Sequence, residues 1–146
     1  MYELSKQFRF DAAHTLQRDV QNTNEEKGSK RIHGHSYRAE VTLRGEPDPK
    51  TGMLIDVYKF EKTFEEVRSG LEHHLLDDIN DLGPATMENL CAWIWKKLAP
   101  KLPMLYSVTV HRDSGSEKCI YFGPKELEQR ISTLFRRAGF HRLSCM

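Results

Sequence analysis

From Tyr2 to Phe10 the apolar residues fall on even positions, at Tyr2, Leu4, Phe8 and Phe10. A period of two is the pattern of a half-buried β-strand, because successive side chains point to opposite faces. Asp11-Ala12-Ala13-His14 continues that strand or ends it. Residues 15 to 30 are polar and carry no period, with Gly28-Ser29 near their end. They predict a long loop, and long loops in small domains are commonly functional or disordered. Alternation returns from His33 to Arg44, with Tyr37, Ala39, Val41 and Leu43 on one face and Arg38, Glu40, Thr42 and Arg44 on the other. The turn-rich stretch from Gly45 to Gly52 ends that strand.

The next apolar run, Met53-Leu54-Ile55, leads to Asp56, a side chain suited to cap a helix. Phe60, Phe64, Val67 and Leu71 then follow at i, i+4, i+7 and i+11, which predicts one amphipathic helix. Thr86 is a second candidate cap, ahead of a stripe formed by Met87, Leu90, Cys91, Ile94 and Leu98. Pro100 and Pro103 stop this helix. Tyr106, Val108 and Val110 alternate again, Asp113-Ser114-Gly115 is turn chemistry, and Cys119 to Phe122 completes a hairpin. A last helix is expected from Pro124 to Arg137, with Leu127, Ile131, Leu134 and Phe135 at helical spacing. The order β-β-α-α-β-β-α predicts the α+β class.

Length and composition narrow the setting. A chain of 146 residues fits one domain, 1–146. With 38% hydrophobic and 29% charged residues, its balance is that of a globular protein. Lys and Arg total 22 against 21 Asp and Glu, so no global field favours nucleic acid or membrane. No apolar run approaches the roughly 20 residues of a membrane helix. The first residues carry no apolar signal-like stretch, and the expected location is the cytoplasm. Cys91, Cys119 and Cys145 are widely spaced and form no C-x-x-C pair, which fits reduced thiols rather than a disulfide frame or thiolate metal site.

The histidines carry the candidate chemistry. In His33-Gly34-His35 the two imidazoles stand two residues apart on a predicted strand, so they project to one face and can chelate one ion. His14, at the end of the preceding strand, is the best candidate for a third ligand. Three neutral imidazoles with a free position are the arrangement of a catalytic zinc site. The H-x-H pair alone is weak, and surface or hydrogen-bonded histidines are the plainer alternative.

Phe8-Arg9-Phe10-Asp11-Ala12-Ala13-His14 and Arg31-Ile32-His33-Gly34-His35-Ser36-Tyr37 resemble motifs of the 6-pyruvoyltetrahydropterin synthase family, which includes the bacterial 6-carboxytetrahydropterin synthases. Further matches come in order at Gly45-Glu46, Thr51-Gly52-Met53, Ile55-Asp56, Leu71-Glu72-His73-His74, Ala85-Thr86-Met87-Glu88, Ala92-Trp93-Ile94-Trp95 and Cys119-Ile120-Tyr121. The resemblance runs from about Phe8 to Gly123. It implies a T-fold, a four-stranded antiparallel sheet with two helices on one face; residues 124–146 would be a C-terminal helical extension. It also implies a homo-oligomer, usually a hexamer, with active sites between subunits. The implied cofactor is Zn2+, held by His14, His33 and His35. The implied substrate is the small-molecule pterin triphosphate 7,8-dihydroneopterin triphosphate, with no nucleic acid or membrane partner.

The resemblance also assigns a proton-transfer set. His73 matches a family histidine, and Glu72 stands where Asp is usual. The plain reading of Glu72 and His73 is a solvated helix end. Ser29 occupies the position of the family's cysteine, and a hydroxyl is a far weaker base than a thiolate. Three readings stay open: Ser29 acts with His73, Glu25 or Glu26 substitutes, or the protein binds a pterin without the usual turnover. Thr86 and Glu88 match positions near the pterin pocket, with an ordinary N-cap as the plain reading of Thr86. Lys30 and Arg31 are available for the triphosphate.

The family's pterin anchor is a Glu on the third strand. Counting from Val108 and Val110 puts Arg112 there, and counting back from Cys119 puts Asp113 there. A cation cannot accept the pterin's N–H bonds, so Asp113 is the expected anchor. The function expected from the resemblance is a zinc-dependent lyase forming 6-carboxy-5,6,7,8-tetrahydropterin in queuosine (7-deazapurine) biosynthesis. The alternatives are a pyruvoyl-forming enzyme, an aldolase-type variant giving hydroxymethyldihydropterin, and a non-catalytic zinc-bearing pterin-binding protein.

Overall fold

Four strands form one antiparallel sheet, side by side in chain order, with helices packed on one face. The computed structural model describes residues 1–18 and 21–125. The strands are β1 (Tyr2–His14), β2 (His33–Gly45), β3 (Leu105–Arg112) and β4 (Lys118–Tyr121). The helices are α1 (Thr23–Lys30), α2 (Val57–Lys62), α3 (Phe64–Leu71) and α4 (Met87–Leu98), with a short 3-10 turn at Leu76–Asp78. This is the α+β T-fold architecture that the pattern and the resemblance imply. The expected helix after Pro124 lies outside the described residues, apart from its first positions.

Alternation decides which face is covered. Phe8, Phe10 and Ala12 of β1, Tyr37, Ala39, Val41 and Leu43 of β2, and Val108 and Val110 of β3 are all buried on the inner face. Against them lie Phe60, Phe64, Val67 and Leu71 from α2 and α3, and Leu90, Cys91, Ile94 and Leu98 from α4. The outer face is polar, with Ser5 bonded to Thr42 (2.7 Å) and Gln7 donating to Glu40 (2.6 Å).

Asp56 caps α2 and Thr86 caps α4, as expected. The expected single helix is instead broken at Thr63. Its amide (3.2 Å) and hydroxyl (2.7 Å) both donate to the Phe60 carbonyl, which tightens the turn between α2 and α3. The apolar stripe survives, because Phe60 and Phe64 still face the core in edge contact.

A second difference is α1, which occupies part of the expected loop. It buries no residue, so no apolar period marks it. Local polar signals form it instead. The Asn22 side chain accepts from the amides of Asn24 and Glu25, Glu25 and Glu26 lie in the first turn, and Lys27 and Lys30 in the last.

The core stripe of α4 is expected to carry much of the stability. Ile94 is fully buried at the centre of this layer, so Ile94→Ala should cost about 2–5 kcal/mol in urea denaturation. A loss under about 1 kcal/mol would mean that α4 does not seat on the sheet as described.

Candidate metal centre

β1 and β2 pair in a register that sets His14 directly opposite His33, with His35 opposite Ala12. Directly paired residues carry their side chains on one face, and diagonal neighbours lie within reach. The three imidazoles therefore converge. His14 Nε2 stands 3.0 Å from His33 Nε2 and 3.0 Å from His35 Nε2.

Backbone carbonyls fix two of the rings. His14 Nδ1 donates to the Ala85 carbonyl at 2.9 Å, and His33 Nδ1 donates to the Arg31 carbonyl at 2.8 Å. A carbonyl only accepts, so each Nδ1 carries a proton, and each ring in its neutral form turns an Nε2 lone pair inward. Lone pairs pressed together in this way repel unless a cation lies between them. Protonation is opposed: burial lowers the His14 pKa, and burial with the charges of His14, Arg112 and His33 pushes His35 down to about 4. This donor set fits a nitrogen-seeking divalent ion such as zinc, with carbonyl second partners of the usual kind. Sequence reading pairs the histidines but does not find Ala85, whose contribution is a main-chain oxygen.

The proton-transfer candidates lie in separate places. After α3 the chain turns through His73, which has a left-handed φ of 58°. Its amide then donates to the Asp11 carbonyl (2.7 Å), and the His74 carbonyl accepts from the Ala13 amide (3.0 Å), so this segment runs along the end of β1. Glu72 Oε1 lies 3.5 Å from His73 Nε2, and its Oε2 accepts from the Asp11 amide at 2.9 Å. The extra methylene of Glu72 is accommodated by this anchor on β1. Asp11, Glu72 and His73 bring their side-chain donor atoms within 4.8 Å of one another. His73 and the metal-face residue His35 border one cavity of about 480 Å³.

Ser29 is not joined to them. Its hydroxyl donates to the Glu25 carbonyl at 2.8 Å within α1. Glu25 lies 3.9 Å from Arg18, and Glu26 pairs with Lys30. Arg31 ends α1 and is exposed; its contact with the site is the carbonyl that holds His33. The Thr86 hydroxyl accepts from the Asn89 amide at 3.2 Å, a capping role, and Glu88 is exposed on the first turn of α4.

The third-strand ambiguity is decided by register. Arg112 lies opposite the buried Tyr37 and so shares the histidine face. Asp113 is turned to the outer face, where it pairs with Arg9 and with Arg38 (3.2 Å). Alternation beyond Val110 carries Arg112 inward and leaves Asp113, the expected anchor, on the face away from the imidazoles.

A two-layer α+β domain with three converging imidazoles at one end of its sheet thus defines the class. Residues 3–124 match the model of the 6-pyruvoyl tetrahydropterin synthase family, and the chain belongs to that family. A 6-carboxy-5,6,7,8-tetrahydropterin synthase of Synechocystis is 31% identical over 131 residues, covering 86% of this chain and 96% of that protein. A 6-pyruvoyl tetrahydrobiopterin synthase of Poecilia reticulata is 40% identical over 85 residues, covering 54% of this chain but 58% of that protein, less than two thirds of its length. Among solved structures, 6-pyruvoyl tetrahydropterin synthase of Caenorhabditis elegans superposes with a TM-score of 0.72 at 29% identity, covering 84% of this chain and 96% of that one.

The low pKa of His35 sets a pH dependence for the metal-free protein. Its folded value, about 4, lies below the unfolded value of 6.5. The unfolded chain therefore binds the extra proton between those values, and this contribution to stability falls as pH drops from about 6.5 toward 4. Metal-free His35→Gln should lose less of its melting temperature than the metal-free parent over that interval. Parallel melting curves for the two proteins would refute the assignment.

Proposed function

We propose that this chain is a zinc-dependent lyase acting on 7,8-dihydroneopterin triphosphate to form 6-carboxy-5,6,7,8-tetrahydropterin, a step of the queuosine (7-deazapurine) route. The observation that carries this reading is the inward convergence of three Nε2 atoms, one of whose residues, His35, lines a cavity with His73. The match over nearly the whole Synechocystis 6-carboxytetrahydropterin synthase supports the carboxy-forming branch.

In this reading His14, His33 and His35 hold the zinc. The ion supplies Lewis acidity at the substrate's side-chain oxygens, which lowers the cost of removing a neighbouring C–H proton. His73 moves that proton. Glu72, close to its Nε2, orients the ring and stabilises the imidazolium. Thr86, Glu88 and Arg31 belong to the proposed substrate surroundings, and Lys30 to the triphosphate.

The Ser29 hydroxyl bonds within its own helix and makes no hydrogen bond to the Glu72–His73 pair among the described residues, which supports a homo-oligomer, of hexamer type, with sites between subunits. The β4 edge and its exposed Ile120 offer a surface for such assembly. No helix among the described residues is long and apolar enough to cross a membrane. We place the protein in the cytoplasm.

The Ser29 hydroxyl is committed to Glu25 within its own helix. That observation favours a second reading, in which Glu25 or Glu26 replaces the missing thiolate and the side chain is cleaved to hydroxymethyldihydropterin. Zinc-loaded protein incubated with dihydroneopterin triphosphate decides between them by product mass. Carboxytetrahydropterin supports the first reading, pyruvoyltetrahydropterin moves the protein to the pyruvoyl branch, and hydroxymethyldihydropterin supports the second reading. Bound, unchanged substrate marks a pterin-binding protein. Failure of the purified chain to take up zinc would sink all of them.

His73→Ala should keep its zinc and lose about 10²–10⁴-fold in kcat. A rate within a factor of about two of the parent would remove His73 from proton transfer.

A further inference from the structure

Arg112 closes the inner face of β3 next to the imidazoles. It sits directly opposite Tyr37, whose ring stands edge-on to His35 with centroids 5.7 Å apart. Glu117, on the hairpin between β3 and β4, pairs with one end of the guanidinium. The Nε of Arg112 is buried and has no acceptor among the described residues. A guanidinium has donors and no acceptor, and its planar edge matches phosphate, carboxylate or carbonyl oxygen.

The charge balance points the same way. Neutral imidazoles add no negative charge to a divalent ion, and Arg112 adds a positive one to the same face. Glu117 offsets part of this, as does Asp77, which is held by Thr15 and whose charge reaches His14. Asp113 contributes nothing here, being engaged by Arg9 and Arg38 on the other side of the sheet. A metal face left positive attracts an anionic, oxygen-rich ligand.

We propose that Arg112 is the specificity-determining residue of this centre, and that it takes an oxygen acceptor of the metal-bound ligand: a phosphate oxygen or the oxo edge of a heterocycle. The same geometry disfavours an edge made of N–H donors, because two sets of donors would face each other there. The inference rests on the reading of His14, His33 and His35 as a metal centre and narrows what that centre binds.

The test uses the full zinc-loaded chain and its R112Q and R112K variants. Zinc content is measured first, then binding of dihydroneopterin triphosphate, dihydroneopterin and inorganic tripolyphosphate by calorimetry. R112Q should keep its zinc and bind the acceptor-bearing probe roughly ten- to a hundredfold more weakly, with R112K recovering part of the loss. A loss with the two phosphate probes but not with dihydroneopterin identifies phosphate as the acceptor. A loss with both pterins but not with tripolyphosphate identifies the ring's oxo edge. Unchanged binding of every probe by zinc-loaded R112Q overturns the inference and leaves the metal centre standing. A parent that binds tripolyphosphate through Arg112 but neither pterin overturns the substrate reading and leaves this inference standing. A zinc-loaded parent that binds none of the probes overturns both, as does a parent that takes up no zinc.

Discussion

The pairing register of β1 with β2 is the constraint on which the site depends. Setting His14 against His33 also sets Phe10 against Tyr37 and Phe8 against Ala39. The same ladder therefore packs the core and assembles the imidazoles. A slip of one residue would turn every one of these side chains to the opposite face. Burying the aromatic stripe thus enforces the register that the ligands require, and the repulsion between inward-facing lone pairs is borne by a sheet held elsewhere by apolar contact. The stacked Phe10–Tyr37 pair, with centroids 5.0 Å apart, lies immediately behind the histidines and is part of that hold.

Much of this was legible in the amino-acid sequence because it is written in side-chain period. Even positions in β1 and odd positions in β2 announce one buried face, and an H-x-H pair beginning β2 has to share it. What escaped was written in main-chain atoms and local polar bonds. The break at Thr63 arises from one hydroxyl and one amide meeting the same carbonyl, which leaves the apolar spacing untouched. α1 buries nothing, so no hydrophobic signal marks it. Ala85 matters through its oxygen, a group every residue has. Arg112 and Asp113 were ambiguous because parity counted from the two sides of the hairpin disagrees across its turn. The ladder opposite Tyr37 removes that ambiguity.

The two halves of the site stand on different physical footings. In the proposed metal half, two rings are pinned through Nδ1 and all three stand on paired strands. The proposed proton-transfer half is built on a chain reversal. His73 adopts a left-handed backbone that non-glycine residues rarely take, and it is held there by hydrogen bonds to β1. That conformation is maintained by the sheet rather than by local preference. Family membership accounts for the common architecture, while Ser29, Glu72 and Arg112 are the positions to which the proposals assign this chain's own chemistry.

α1 has a consequence of a different kind. Its order comes from an Asn cap, a few charge pairs and one bond from the Leu16 amide to the Ser29 carbonyl. Cap bonds and exposed pairs are worth roughly 0.3–1 kcal/mol each, and the pairs weaken as salt is added. The segment bearing Ser29 can therefore unwind and rewind at little energetic cost while the sheet stays intact. Ionic strength acts on this stretch of the chain as a dial, and hydrogen exchange there should be fast and salt-sensitive against a slow, salt-indifferent sheet.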